Sequence, residues 1–157
     1  MKCSIKKGFS FGITSGIITT LGLIVGLHSS TGSIRVVIGG IIVIAIADAL
    51  SDALGIHISE EAENKHDVLE IWEATIVTFL SKFFFAAIFI VPFLLLSLSL
   101  AISISIIWGL FLIALFSYLM AKGSKTKPIK AVLEHLFIAI LVIIVTHYVG
   151  DWVATFK

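Results

Sequence analysis

The chain has 157 residues, of which 59% are hydrophobic and 13% are charged, and its formal net charge is +1. Its mean hydropathy of +1.14 lies far outside the range of soluble domains, so the composition indicates an integral membrane protein with the lipid bilayer as a partner. The net charge itself says nothing about nucleic acid, but the sequence has no basic patch with interleaved aromatic residues, so we expect no nucleic-acid partner. One cysteine, Cys3, excludes an internal disulfide and a cysteine-based zinc site.

Five apolar segments are each long enough to cross about 30 Å of hydrocarbon as a helix. They lie near residues 8–28, 34–57, 72–98, 101–121 and 129–153. The sequence therefore predicts a single all-α membrane domain over residues 1–157 with five transmembrane helices. Pro92 is expected to kink the third of them.

Basic residues at the ends of these segments predict the orientation. Most of them flank the start of the first segment, the second loop or the fourth loop, namely Lys2, Lys6, Lys7, Lys65, Lys122, Lys125, Lys127 and Lys130. The opposite side has only Arg35 and Lys157. The positive-inside rule then places the N-terminus in the cytoplasm and the C-terminus outside.

The first segment carries Gly8, Gly12 and Gly16 at four-residue spacing. Small residues on one stripe let helices approach closely in lipid, so this stripe predicts helix packing and a dimer interface. Alternatively, the stripe lines a path to which Ser15 and Thr19 are exposed.

Asp48 and Asp52 lie one helical turn apart within the second apolar segment. A carboxylate at the bilayer centre costs about 2.5–3.5 kcal/mol on insertion scales, so it rarely occurs without a partner or a function. The spacing puts both carboxyl groups on one face, about 6 Å apart. Two acids this close favour a bound cation, a lysine or a shared proton.

Lys82, in the third segment, is the lysine that bears on this choice. One interpretation is that its side chain extends along the helix to the cytoplasmic interface. The other is a salt bridge to Asp48 or Asp52, which would leave no charge for a metal. In an antiporter, such a lysine can also act as the exchanging cation.

The segment from 59 to 73 is acidic and is expected to continue the second helix into the cytoplasm. Its candidate ligands for a divalent metal are Glu60, Glu63, His66, Asp67 and Glu70. Glu63 and His66 have the Glu-x-x-His spacing of carboxylate-rich helical metal sites, which suits Fe(II), Mn(II) or Zn(II). The alternative is a solvated acidic helix face. Near the C-terminus, His147 and Asp151 belong either to an interfacial belt or to an exit-side relay.

Two motifs resemble signatures of the vacuolar iron transporter family. FGITSGIITTLGLIVG at 11–26 is similar to the family's first-helix pattern, close to F-G-x-x-D-G-x-x-T-x-L-G-x-x-x-G. ADALSDALGIHISEEAE at 47–63 resembles its second-helix pattern, G-A-x-S-M-x-x-G-x-Y-x-S followed by acidic residues. The resemblance implies a five-helix homodimer with the path between subunits. It also implies export of Fe(II) or Mn(II) from the cytoplasm in exchange for protons, with the metal as substrate and no cofactor.

This chain departs from the family pattern at three places. Ser15 stands where the family has an aspartate, Asp52 stands where it has a methionine, and the cytoplasmic metal-binding insert is reduced to about 60–73. A carboxylate lost at Ser15 is thus regained at Asp52, with Asp48 as a second. Oxygen-only ligation shifts preference toward Mn(II), Mg(II) or Ca(II).

The leading hypothesis is a proton-coupled divalent metal transporter that exports or sequesters cytoplasmic metal. Asp48 and Asp52 would bind the ion near Ser15 and Thr19, in a cell membrane or, in a eukaryote, an organellar one. The alternative is a non-transporting membrane protein of the same fold, in which both aspartates pair with Lys82. No hydrolytic or redox constellation appears, so we expect no enzyme.

Overall fold

The computed structural model describes residues 3–122 and 127–156, and within these ranges the chain is helical and has no strand. The helices are α1 (Cys3–Thr31), α2 (Ile34–Glu63), α3 (Val68–Ala87), α4 (Ile90–Leu95), α5 (Leu98–Ala121) and α6 (Pro128–Ala154). They provide five segments long and apolar enough to cross a membrane, the third being α3 and α4 together. The predicted all-α fold with five spans is confirmed. Lys2, Lys125 and Lys157 lie outside the described residues, and the orientation of the termini stays a prediction.

Helix α1 is the centre of the bundle and contacts α2, α3, α5 and α6. Its fully buried Ile13, Ile17, Leu21 and Ile24 form the core with apolar side chains from α2, α4 and α5. The outward faces of the surrounding helices are apolar as well, which suits contact with lipid rather than water. Polar side chains that point inward from α1, α2 and α3 therefore lie in a water-poor interior.

The third span is broken as Pro92 predicts. The regular hydrogen bonding of α3 ends at Ala87, and α4 begins at Ile90. A proline ring clashes with the carbonyl four residues earlier, here that of Ile88. The backbone adapts with short-range bonds, such as the one from Val91 N–H to the Ile88 carbonyl.

The expectation of one continuous acidic helix over 59–73 is wrong. Helix α2 ends at Glu63 because Asn64 adopts a left-handed backbone conformation, with φ of 50°. Asp67 then caps α3 by accepting a hydrogen bond from the Glu70 N–H at 2.8 Å. Asp67 followed three residues later by Glu70 is a helix-start signal that the sequence already carries. As a consequence, His66 lies in a turn and not on the α2 surface.

The glycine stripe of α1 packs inside the subunit. A Cβ on Gly8 would lie 2.7 Å from the Thr78 hydroxyl, and one on Gly12 would lie 2.7 Å from the Thr78 carbonyl oxygen. A Cβ on Gly16 would lie 3.0 Å from the Lys82 carbonyl oxygen. The stripe thus serves the helix packing predicted for it, but against α3. Its assignment to a dimer interface is wrong, because these glycines are covered within one chain.

Candidate functional site

The inward face of α2 carries Asp48 and Asp52 near the middle of the helix. Ala45, Ala49 and Ala53 are buried beside them, so α2 lies close to its neighbours at this level. The two carboxylate side chains are 31% and 20% exposed, respectively. Both can therefore still be reached by an ion, although they lie within a membrane-spanning segment.

Lys82 from α3 points directly at this pair. Its side chain is 1% exposed, and its Nζ lies 2.5 Å from Asp48 Oδ2 and also contacts Asp52 Oδ2. The same Nζ donates to the Ser15 hydroxyl at 2.9 Å, and Ser15 in turn donates to Asp52 Oδ2 at 2.7 Å. Of the interpretations of Lys82, the salt bridge is the observed one.

Glycine packing explains how this lysine reaches the pair. The Cβ position of Gly16 is 3.3 Å from both Cα and Cγ of Lys82. The stem of Lys82 thus lies against the bare α1 backbone, which leaves its ammonium group level with Ser15. Serine is also small enough to leave space for that group. We name Asp48, Asp52, Lys82 and Ser15 the central cluster.

The charges of the central cluster do not cancel. Counted formally, with both aspartates ionised and Lys82 protonated, the cluster has a charge of −1. By this count the salt bridge neutralises one carboxylate and leaves one formal negative charge. In low-dielectric surroundings this remaining charge attracts cations far more strongly than it would in water.

Thr19 does not join the central cluster, contrary to our expectation. Its hydroxyl donates to the backbone carbonyl of Ser15, one turn earlier, at 2.8 Å. Such back-bonding satisfies a polar side chain inside a helix without any partner on another helix.

Four of the predicted cytoplasmic ligands, Glu60, Glu63, His66 and Glu70, belong to one connected ion-pair network that also includes Lys7. Glu60 is fully buried and lies 2.7 Å from Lys7 Nζ and 3.4 Å from His66 Nε2. The other ring nitrogen of His66 lies 2.9 Å from Glu70 Oε2. Glu63 contacts Lys7 at 2.8 Å.

These contacts tie the ends of α1, α2 and α3 together. Asp67 is separate from them and serves as the helix cap described above. Across residues 3–122 and 127–156, no three His, Cys, Asp or Glu side chains form a group that could hold a metal. The structure therefore shows lysine and histidine pairs where the sequence predicted a single metal-gathering cluster.

Lys7 is the contact that sequence reasoning missed. A signal for it exists, because α1 and α2 are consecutive spans and must run in opposite directions. Their adjacent ends then bring the N-terminal lysines of α1 near the acidic end of α2. At the other end of the bundle, His147 Nδ1 lies 2.5 Å from the Ser29 hydroxyl, and its Nε2 lies 3.5 Å from Asp151. Both side chains are about half exposed, and an exit-side role for them stays a prediction.

A five-span bundle with a charged cluster at mid-depth is an arrangement typical of membrane transport proteins. The sequence matches the VIT family over residues 57–151, and the chain belongs to this family, the vacuolar iron transporters. The matched range contains Lys82, whereas Ser15, Asp48 and Asp52 precede it. No curated protein matches the chain. Membership makes it a multi-pass membrane protein of a family whose members are transporters of metal ions, not enzymes.

Proposed function

We propose that the protein transports a divalent metal cation across its membrane in exchange for protons, with Asp48 and Asp52 as the transport site. The observation that carries the proposal is a pair of partly exposed carboxylates near the middle of a membrane-spanning helix that share a single lysine, which gives a formal charge of −1. Placing such a charge inside a membrane costs free energy, so charged residues there usually have a function. Transient binding of a cation is the task that fits a member of this family.

Proton coupling follows from the charge balance of the site. A divalent ion raises the net charge of the central cluster from −1 to +1 if nothing else changes. Repulsion between the ion and the Lys82 ammonium group then favours transfer of one proton from Lys82 Nζ to water, which leaves a neutral amine displaced from the carboxylates and returns the site to neutrality. Metal entry and proton release are thereby linked without a further group.

The ligand chemistry favours a hard ion. The side chains of Asp48, Asp52 and Ser15 offer only oxygen atoms as ligands. Oxygen ligands suit Mn(II) better than softer ions, and Fe(II) remains within their range. Acidic residues outnumber basic ones over residues 60–73 at the predicted cytoplasmic end. Their excess negative charge would attract cations, so the favoured direction is export or sequestration of cytoplasmic metal.

The test is flux through the purified protein in liposomes. We expect an Mn²⁺ gradient to drive Mn²⁺ across the membrane and to move protons the opposite way, as reported by a pH-sensitive dye. Empty liposomes give the background. Mn²⁺ movement without proton movement would contradict the proposed proton coupling. If neither Mn²⁺ nor protons move, the proposed transport function is contradicted.

A second candidate function is favoured by the burial of Lys82. A lysine that is 1% exposed and contacts two aspartates is also typical of a buried ion pair with a purely structural role. In that case the chain is a non-transporting member of the family and the central cluster holds α1, α2 and α3 together. It predicts that the liposome assay stays at background while the folded protein is otherwise sound.

We further propose that the protein is a homodimer formed through the outward face of α2. This face carries exposed small residues that are four or eight positions apart along the helix, namely Gly39, Ala47, Ser51, Gly55 and Ser59. A Cβ on Gly39 or Gly55 would meet nothing within 4 Å, so both positions are open to a second helix. Small residues of this kind support close helix contact in lipid.

The dimer proposal predicts that Gly55→Leu lowers the dimer fraction while each subunit stays folded. A leucine side chain would hold the two α2 helices apart, whereas Leu80→Ala, on an exposed face of α3, is the control that leaves the dimer intact. Cross-linking in membranes and light scattering of purified protein measure the fraction. Equal cross-linking of Gly55→Leu and wild type would contradict this interface.

A further inference from the structure

We propose that Lys82 is a tethered competing cation that restricts the central cluster to doubly charged ions. The proposal rests on the proposed transport function, and it assigns to Lys82 the role of a selectivity residue. The observation behind it is that the ammonium group contacts both carboxylates and the Ser15 hydroxyl. It thus occupies the position that a bound cation would take.

A tethered cation is a strong competitor for ions of equal charge. The Lys82 side chain is anchored by α3 and by the contact of its stem with Gly16, so its effective concentration at the carboxylates is high. A free monovalent ion would replace one positive charge by another and would have to give up its hydration and its freedom of movement. Monovalent ions therefore gain too little to displace the lysine.

A divalent ion differs because its attraction to the carboxylates is twice as large at the same distance. The attraction of a divalent ion to the carboxylates can therefore exceed that of the Lys82 ammonium group. The ion then neutralises both carboxylates after the ammonium group has moved away. Selection by charge then needs no ring of ligands shaped to one ion radius. It needs only that the lysine is always present, which its burial ensures.

The surface pair of Lys130 and Glu134 provides the contrast. Lys130 is 70% exposed and lies 3.7 Å from a half-exposed carboxylate on its own helix. Water and salt screen such a pair, so its loss changes little. Lys130→Gln is therefore the matched control for Lys82→Gln, since it removes the same charge from a site without the buried pair.

The experiment is Mn²⁺ binding to the purified protein by calorimetry, with either Na⁺ or choline as the salt cation at equal ionic strength. Wild type and Lys130→Gln should bind Mn²⁺ equally well in both salts. Lys82→Gln should bind Mn²⁺ at least about tenfold more tightly in choline, because a competing unit charge is gone. In Na⁺ that gain should shrink, because Na⁺ can now occupy the site.

A second variant covers the case in which Lys82→Gln does not fold. The double variant Asp48→Asn with Lys82→Gln keeps one carboxylate and therefore the wild-type net charge of −1. We expect Na⁺ to raise its melting temperature relative to choline, with no such effect on wild type.

The outcomes separate the two proposals. Equal Mn²⁺ affinity and equal insensitivity to Na⁺ in wild type and Lys82→Gln would overturn the role of Lys82 while leaving transport intact. In the double variant, an absent Na⁺ effect would do the same. Binding of Mn²⁺ by Lys82→Gln but not by wild type would show a permanent counter-ion, and it would overturn both displacement and native transport.

Discussion

Asp52→Asn is expected to abolish Mn²⁺-driven proton flux while the protein stays folded. The amide keeps an oxygen that can accept the hydrogen bonds of Ser15 and Lys82. Asp48 still neutralises the lysine, so no buried charge is left alone. The remaining carboxylate and ammonium cancel, however, and the site then has no net charge with which to attract a divalent ion. Flux and melting temperature measured on one preparation test both parts.

The matched control is Glu134→Gln, which removes an exposed carboxylate and should change neither quantity. Replacing both aspartates by asparagine should differ from the single variant, because Lys82 then has no counter-charge. Removal of the partners of a buried ion costs about 3–5 kcal/mol, so the double variant should lose its fold. Flux per folded molecule that survives in Asp52→Asn would reject the transport site.

Gly12→Leu is expected to cause a large loss of stability. The Cβ position of Gly12 already lies 2.7 Å from the Thr78 carbonyl oxygen and 3.2 Å from the Lys82 backbone nitrogen. A leucine must push α3 away from α1, which costs about 3 kcal/mol, the upper end of the usual range for overpacking a closely packed interface. The same shift would withdraw Lys82 from the aspartates, so flux should be lost as well.

Val145→Leu is the control for this prediction, because it also enlarges a side chain but on an exposed face of α6. Its melting temperature in detergent should match that of wild type. A stable Gly12→Leu protein with normal flux would show that α1 and α3 do not pack as described.

The sequence predicts the number and approximate extent of the spans because a bilayer-crossing helix needs a long apolar run, and five such runs are present. The kink before Pro92 is predictable for a similarly local reason, the lost N–H and the clashing ring. The break between α2 and α3 was also predictable from Asp67 and Glu70, but acidic side chains at regular spacing suggested a longer helix. In that instance a capping signal outweighed a periodic one.

The central cluster was only half predictable. The spacing of Asp48 and Asp52 placed both carboxylates on one face, and the residues alone made Lys82 a possible partner. Which partner is present depends on how closely α3 approaches α1, and that distance is set by Gly12 and Gly16. Their effect depends on tertiary packing, since the sequence of a glycine stripe does not show which neighbouring helix packs against it. The same uncertainty led to the wrong dimer assignment.

The most direct test of the transport site is an anomalous diffraction map of crystals grown with Mn²⁺, since manganese scatters anomalously and its position is then observed. The account predicts a peak within coordination distance of both Asp48 and Asp52, about 2.0–2.6 Å from their oxygens, with the Lys82 ammonium group moved away from them. A map at saturating Mn²⁺ with no peak there, and with Lys82 still between the two carboxylates, would contradict it.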